Sequence, residues 1–351
     1  MSPVELSERE RKVLEAVIQA YVETAQPAGS RQLARKFGLG VSPATIRNTM
    51  SDLEEKGLLF HPHTSAGRVP TDAAYRIYVD SLLPSARLAA SDQRRLAREI
   101  AGGGGSAIEA ILRRAAQSLG VITQELGVAL GPSLDRSVLR RLDLVRLSAE
   151  RVLLVLTLER GAVRTIFVET TGEIADVALA EVTRVLNERL GGLTLREIRQ
   201  TLGTRLRDSG ASDDAAELLN VFLEEGEQLF DPAIALDEES VLLGQASVLA
   251  EQPEFSSGEG MRRLVTLTET RDRLAELLRS RSGLPGISIT IGREHADPAL
   301  NTFTLVTSEY TAGALTGVIG VIGPTRMPYD KVISLVRHAS QLVGEMLDSN
   351  G

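Results

Sequence analysis

Two adjacent side chains, Arg47 and Asn48, carry hydrogen-bonding groups that match the edges of nucleic-acid bases. A guanidinium donates two parallel hydrogen bonds to guanine O6 and N7, and a side-chain amide pairs with adenine N6 and N7. Just before them stand Ser42 and Pro43, residue types preferred at the N-cap and first turn of a helix. The pair therefore lies in the first half of a predicted helix, the half that enters the major groove in helix-turn-helix proteins.

This predicted helix separates apolar from polar positions. Apolar residues recur at i, i+4 and i+7, which predicts a buried face of Ile46, Met50 and Leu53. The first half of the opposite face, which includes Thr45, carries no carboxylate, and the acidic residues are confined to the last turn. Such a surface suits an anionic partner. The alternative interpretation is that Arg47 contacts phosphate alone.

A shorter predicted helix precedes it, with Ser30 as its N-cap and Arg31 in its first turn. Free backbone N–H groups at a helix start favour a phosphate. A simple capping role for Ser30 is equally compatible with its position, and both roles can hold together. We therefore expect Ser30 and Arg31 to contact the DNA backbone.

A loop with hydroxyls, a cation and small residues lies between two short predicted strands, Leu58–Phe60 and Arg68–Val69. The order helix, helix, tight turn, helix and β-ribbon is that of a winged helix-turn-helix, which we assign to residues 1–85. An ordinary hairpin turn is the alternative interpretation of the loop. The predicted DNA-binding residues are Ser30, Arg31, Ser42, Pro43, Thr45, Arg47, Asn48, His63, Thr64, Ser65 and Arg68.

Charge is unevenly distributed along the chain. The net charge of −8 argues against a protein that coats nucleic acid nonspecifically, and residues 1–80 are neutral, with ten basic and ten acidic residues. No acidic residue occurs between Glu23 and Asp52 or from Lys56 to Thr71. In an acidic chain, a local surface without carboxylates indicates that the surface binds an anion. Chance clustering is the alternative interpretation.

Beyond Pro84 the pattern predicts an α+β multidomain protein. Strands are predicted near 139–168 and near 287–322, and they flank a mainly helical middle. We interpret this order as one split α+β domain, residues 90–172 and 262–351, that carries an insertion at 173–261. The interpretation requires strands near 152–168 to pair with strands near 287–322. A glycine-rich run at 102–105 lacks the Gly-Lys-Ser/Thr of a phosphate loop and is predicted to be a flexible break.

The sequence offers little for catalysis, cofactors or membranes. It contains no cysteine, and its four histidines include only one close pair, His61 and His63, with no nearby carboxylate in the sequence. The glycines at 317–323 do not have dinucleotide-binding spacing. No apolar run approaches the roughly 20 residues of a membrane span, and the N-terminus is polar. We expect no cofactor, no metal and no membrane partner, and a cytoplasmic location.

Several strings resemble the heat-inducible transcription repressor family HrcA. The N-terminal strings are Pro27-Ala28-Gly29-Ser30-Arg31, Ser42-Pro43-Ala44-Thr45-Ile46-Arg47-Asn48, Gly57-Leu58-Leu59, His63-Thr64-Ser65-Ala66-Gly67-Arg68-Val69-Pro70-Thr71-Asp72, Tyr75-Arg76 and Tyr78-Val79-Asp80. The C-terminal string is Gly320-Val321-Ile322-Gly323-Pro324-Thr325-Arg326-Met327, followed by Tyr329. Two departures stand out: Thr49 replaces a usual acid, which we expect to alter the DNA face, and Ala73-Ala74 replaces a Lys-Gly-like pair.

The resemblance implies a winged helix, a GAF-like domain and an inserted dimerisation domain. It also implies a homodimer that represses chaperone operons at an inverted-repeat, double-stranded DNA operator called CIRCE. It further implies that the GroEL chaperonin maintains the active fold. Two other functions remain open on the residues alone: a small-molecule-responsive regulator, and an enzyme with a DNA-binding appendage, for which no nucleophile–base or metal cluster is evident.

Overall fold

The computed structural model describes residues 5–63, 66–82, 88–102, 108–133, 137–159, 163–170, 174–207, 212–230, 241–313 and 315–349. Contacts divide the chain into two compact units. The first comprises Met1–Leu130, Val241–Tyr310 and Val318–Met346, and the second comprises Gly131–Ser240, Thr311–Gly317 and Leu347–Gly351. The predicted site residues Thr64 and Ser65, and the glycines at 103–105, lie outside the described residues.

The first unit begins with the predicted winged helix. Its elements are α1 (Glu8–Thr24), α2 (Ser30–Phe37), α3 (Pro43–Glu55), β1 (Leu59–Phe60), β2 (Val69–Pro70) and α4 (Asp72–Ile77), followed by a π-helical turn at Tyr78–Leu82. The two strands pair antiparallel, and an isolated bridge joins Ala28 to Arg68. This order confirms the winged helix-turn-helix fold of the N-terminal segment.

Local signals explain where these helices begin and end. Ser7 and Glu10 form a reciprocal capping box at the start of α1, as their spacing predicted. Gly38 and Gly40, in the turn between α2 and α3, have φ values of +54° and +68°. Residues with a side chain rarely adopt that left-handed backbone conformation, so glycine makes the tight turn possible. The turn is what sets α3 against α1 and α2.

The rest of the first unit is a C-terminal domain built on one sheet. The sheet has the strand order β7 (Val241–Leu243), β3 (Leu126–Ser133), β10 (Leu315–Pro324), β9 (Phe303–Ala312) and β8 (Ile287–Ile291). The helices are α5 (Ala90–Ala101), α6 (Ile108–Thr123), α10 (Ser247–Ala250), α11 (Gly258–Glu269), α12 (Arg271–Arg279) and α13 (Tyr329–Ser349). Residues 318–322 of β10 are buried throughout, because the strand lies in the middle of the sheet.

The second unit combines a small sheet with three helices. Strands β4 (Leu139–Ser148), β5 (Arg151–Leu158) and β6 (Val163–Glu169) form an antiparallel sheet in chain order. Helices α7 (Asp176–Leu190), α8 (Leu195–Leu206) and α9 (Asp213–Leu229) share a hydrophobic core with this sheet. Alternate residues of β5 are fully buried, so only one face of the sheet is packed by the helices.

The predicted pairing of strands near 152–168 with strands near 287–322 is wrong. Among the residues that the structure describes, strands β4, β5 and β6 pair only with one another, because short connections bring chain neighbours together before distant segments can compete. The long-range pairing instead joins β3 to β7 and β10. The main segment of the second unit is 131–240, joined by 311–317 and 347–351, whereas the predicted insertion was 173–261.

Two smaller predictions also differ from the structure. The apolar pattern of residues 241–249 predicts a possible strand, but these residues form the short strand β7 and then begin α10. The spacing of residues 262–281 predicts one helix, but they form α11 and α12, which meet at Thr270 with φ −90° and ψ 60°. Among the described residues, no helix combines the length and the apolarity needed to cross a membrane.

Candidate DNA-binding surface

Helix α3 begins with a side-chain cap that also fixes Thr45. The Ser42 hydroxyl accepts a hydrogen bond from the Thr45 backbone N–H at 3.1 Å and lies 2.9 Å from the Thr45 hydroxyl. Pro43 occupies the first turn, where its missing N–H costs nothing. Ser42 and Pro43 are exposed and Thr45 is half-buried. The cap therefore presents its two leading residues at the surface and holds the Thr45 hydroxyl against Ser42.

Arg47 and Asn48 lie exposed on α3, one turn beyond the cap. Within the described part of the chain, neither side chain makes a hydrogen bond or an ion pair. The opposite face, formed by Ile46, Met50 and Leu53, is buried as its spacing predicted. The surface half of α3 thus offers a guanidinium and an amide that have no competing intramolecular partner.

Thr49 does not belong to this surface, which corrects the expectation that it alters the DNA face. Its side chain is 4% exposed, and its hydroxyl donates to the Thr45 carbonyl at 3.1 Å. Position 49 follows the buried Ile46 by three residues, so it falls on the same side of the helix. Thr49 packs inside the winged helix, and its short side chain satisfies its hydroxyl on the helix backbone.

The start of α2 differs from the prediction in one residue. Gly29, with an extended backbone, is the N-cap, and Ser30 is the first helical residue. Ser30 is 7% exposed, so little of it is available for a phosphate contact. An isolated bridge between Ala28 and Arg68 holds the chain just before this helix against the wing. Arg31, by contrast, is exposed as expected.

Arg68 is held inside the wing and is not free to contact phosphate. Its guanidinium lies 2.8 Å from Glu54 at the end of α3, and its side chain is 12% exposed. The same carboxylate contacts the His61 ring. His63 is exposed at the tip of the described part of the loop. A Cβ on Gly67 would overlap the Ala28 carbonyl, so glycine permits this close approach.

Acidic residues from outside the acid-free segments neutralise several of their cations. Lys36 pairs with Glu23, and Lys56 pairs with Glu10 at 2.7 Å. The Lys56 ammonium, helped by the Ser7 backbone N–H, lowers the pKa of the Glu10 carboxyl to about 2. Among the described residues of these two segments, the arginines without an acidic partner are Arg31, Arg35 and Arg47.

Arg35 is a candidate contact residue that the sequence analysis left out of the site. It is exposed on α2, four residues after Arg31, so both side chains lie on one face of the helix. The i, i+4 spacing was the available signal. Together with Arg47 and Asn48, these residues form what we call the basic surface, defined as Arg31, Arg35, Arg47 and Asn48.

A cleft of about 480 Å³ lies in the C-terminal domain. It is lined by α11, α12 and residues 297–302, and its arginines include Arg263 and Arg273. Glu259 pairs with Arg263, and Asp297 lies 3.3 Å from Arg273. These cations are already compensated by the cleft's own acids. In the described portion of the chain, no group of three metal-ligating side chains occurs.

Comparisons with known proteins match both ends of the chain. Residues 5–81 match the family model "Winged helix-turn-helix transcription repressor, HrcA DNA-binding", and residues 109–333 match "HrcA protein C terminal domain". The heat-inducible transcription repressor HrcA of Chlorobium phaeobacteroides strain BS1 is 41% identical over 353 residues, which cover 98% of this chain and 99% of that protein.

A second relative and one solved structure agree. The heat-inducible transcription repressor HrcA of Geobacter sulfurreducens is 36% identical, with 98% of this chain and 99% of that protein covered. A crystal structure described as that of a hypothetical protein has a TM-score of 0.56 at 23% identity, covers 99% of this chain and 100% of its own, and supports the fold alone. The chain belongs to the HrcA family of heat-inducible transcription repressors.

Proposed function

We propose that this protein represses transcription of chaperone operons by binding an operator in double-stranded DNA through α3. The observation that carries the proposal is the exposure of Arg47 and Asn48, without intramolecular partners, in the acid-free half of that helix. Arg47 and Asn48 read base edges in the major groove, while Arg31 and Arg35 contact phosphates beside it. The exposed residues Ser42, Pro43 and His63 lie at the edges of this contact.

The operator is an inverted repeat of the CIRCE type, and the protein binds it as a homodimer. A two-fold site requires a two-fold protein. The surface that supports a dimer is the unpacked face of the β4–β5–β6 sheet. There Val145, Leu153 and Phe167 lie side by side across the three strands, and Phe167 is 69% exposed. An apolar row of this kind suits burial against a second copy.

The GroEL chaperonin maintains the active fold, so that heat-damaged proteins competing for it relieve repression in the cytoplasm. Long-range strand pairing supports this part of the proposal. Strand β3 cannot pair until β7 and β10 have been made, and both follow the 131–240 segment of the second unit in the chain. Until they arrive, its apolar residues lack their sheet partners, and unpaired apolar strands are a substrate for a chaperonin.

The proposed function is tested by measuring binding of the full chain to promoters of the source organism's own chaperone genes. We expect a footprint over an inverted repeat and an affinity at least about 10³ times that for random DNA at the same salt concentration. Two arginine variants, one in the proposed DNA-binding surface and one outside it, serve as test and control. Arg47→Ala should require a higher protein concentration to give the footprint, and Arg184→Ala, at an exposed residue of α7 paired with Glu188, should leave the footprint unchanged. Equal affinity for promoter and random DNA contradicts the proposal.

A further inference from the structure

Two groups of polar contacts join the winged helix to the C-terminal domain within the first unit. In the first group, Arg326 follows β10 and donates through Nη1 to the Val22 carbonyl near the end of α1, at 2.7 Å. Its Nε and Nη2 donate to the two carboxylate oxygens of Glu254, at 2.6 and 3.1 Å. Glu254 also belongs to the C-terminal domain, so this contact holds the guanidinium in place for its bond to Val22. The Arg326 side chain is only 14% exposed, so these bonds are shielded from competing water.

The second group involves α4 and the segment after β8. Arg76 donates through Nε to Glu294 at 2.7 Å and through Nη2 to the Ile289 carbonyl at 2.9 Å. The Asp72 carboxylate accepts the backbone N–H of Arg293 at 3.0 Å. A planar guanidinium that meets a carboxylate and a carbonyl together fixes direction as well as distance. We call the contacts of Arg326, Arg76 and Asp72 the orientation clamps.

An aromatic contact lies between the two orientation clamps. The rings of Tyr75 and Tyr329 are 5.7 Å apart, and both side chains are 1% exposed. The winged helix is thus held through α1 and α4 at separate points, which restrains its rotation as well as its position. Neither Arg47 nor Asn48 takes part, so α3 remains available to DNA while the domain is held.

We infer that Arg326 and Arg76 are positioning residues for operator binding. Through the orientation clamps they set the direction of α3 relative to the C-terminal domain. In a dimer, both α3 helices then meet two half-sites that have one particular separation. The inference rests on the proposed function, since it concerns how the same DNA-binding surface selects its operator.

The physical reason lies in the geometry of a two-part site. Half-sites are read on one side of the duplex at about 34–36 Å or a multiple of it. Once the first α3 helix is bound, the second binds from within the same dimer. Its effective concentration at the second half-site is higher when the range of positions open to it is smaller. A loosely attached winged helix samples many separations, so it loses affinity at the correct one and discriminates less against the others.

The test uses Glu254→Gln and Glu294→Gln, alone and together, in the full-length protein. Both residues lie outside the winged helix, and each change replaces a carboxylate by an amide of the same shape, so the DNA-contacting domain keeps its own sequence. Operator affinity is measured on a series of DNAs whose central spacer is lengthened or shortened stepwise by up to about half a helical turn. A DNA with a single half-site is measured alongside.

We expect the wild-type protein to show a sharp optimum in spacer length. The double variant should bind about tenfold more weakly at the optimum, with a flatter dependence on spacer length, because the effective concentration of the second helix falls. Its half-site affinity should equal that of wild type, which a merely damaged fold would not preserve. The control Glu99→Gln breaks an exposed pair with Arg95 within α5 and should keep the wild-type profile.

Three results would overturn the inference: an unchanged spacer profile in the double variant, tighter binding at the optimum, or an equal loss on the single half-site. The last would show damage to the DNA-binding domain itself. Failure of the proposed function gives a different result, because the wild-type protein would then bind no spacer variant more tightly than random DNA.

Discussion

At the scale of single residues, Arg47 and Asn48 are expected to supply sequence specificity, and Arg31 is expected to supply affinity. Arg47→Ala or Asn48→Ala should lower the ratio of operator to random-DNA affinity. The expected loss of discrimination is about 1–3 kcal/mol, the contribution of one bidentate base contact. Arg31→Ala should weaken all DNA alike and reduce the salt slope by about one unit. Titrations of both DNAs over a range of salt concentrations measure these effects. An unchanged ratio in Arg47→Ala contradicts the base-reading role.

The sequence identified the exposed residues of α3 well, because helical periodicity decides which side of a helix is buried. It did not predict the surroundings of Arg68 and Ser30. Arg68 pairs with Glu54, an acid from the preceding helix that the fold brings beside it. Ser30 is the first residue of α2, after the N-cap Gly29, and is buried. Such contacts are tertiary: they join residues that the fold brings together, so the local sequence pattern does not predict them.

At the scale of elements, Glu54 is expected to stabilise the wing against α3. In Glu54→Gln the Arg68 guanidinium, only 12% exposed, loses its counter-charge. An incompletely satisfied, mostly buried polar group costs about 1–3 kcal/mol. We expect hydrogen exchange at the Ala28 and Arg68 amides, which bridge the wing to the chain before α2, to accelerate accordingly. Glu55→Gln, at the neighbouring exposed position, is the control, and equal exchange in both variants refutes the role.

The contact between Lys56 and Glu10 ties the end of α3 to the start of α1 and is sensitive to acid. The folded pKa of Glu10, about 2, lies below its ordinary value of 4.5. The stabilisation is therefore present above pH 4.5 and is lost as the pH falls towards 2. Lys56→Met should raise the Glu10 pKa towards 4.5 and reduce this acid sensitivity. The chemical shift of the Glu10 carboxyl, measured as a function of pH in both proteins, tests this expectation. Lys12→Met, which removes a different lysine from α1, should leave the Glu10 pKa in place.

Element boundaries show what a sequence pattern decides. Ser7, Ser42 and the glycines of the α2–α3 turn act within a few residues, and the elements that they delimit were predicted correctly. Strand pairing depends on competition between near and distant partners. The apolar patterns of β4, β5 and β6 are compatible with pairing to near or to distant strands. Their short connections favour pairing with one another. The split of the α+β domain into 90–172 and 262–351 stays a prediction, whereas the predicted pairing of strands near 152–168 with strands near 287–322 was wrong.

At the scale of the whole molecule, the exposed apolar row of the second unit is expected to hold the dimer together. Phe167→Asp places a charge at the most exposed end of that row, on strand β6. It should raise the dimer dissociation constant about 30-fold or more, since disruption of an interface hot spot costs roughly 2 kcal/mol or more. Sedimentation velocity measures the shift, and operator affinity should fall with it. Val177→Asp, at a position 79% exposed on α7, should remain dimeric. A fully dimeric Phe167→Asp protein would rule out this surface.

The chaperonin part of the proposed function gives a second whole-molecule prediction. Protein diluted from denaturant should recover little operator binding alone and much more with GroEL, its cochaperonin and ATP, because unpaired β3 and β10 aggregate while the sheet is incomplete. Operator binding is measured after refolding at several temperatures and chaperonin concentrations. Full spontaneous recovery at every temperature contradicts the prediction. The alternative mechanism, melting of the native dimer, predicts a thermal loss of binding that chaperonin does not alter.

The position of β3 in the sheet also has a consequence for synthesis on the ribosome. β3 ends at Ser133 and its neighbour β10 ends at Pro324, so about 190 residues are made between them. At 5–20 residues per second this takes roughly 10–40 s. The second unit, whose strands pair with their chain neighbours, can fold during that interval, but β3 cannot complete its sheet. Slower translation after Ser133 lengthens the exposure of β3, so we expect it to lower the yield of active protein, and we expect added chaperonin to offset part of that loss.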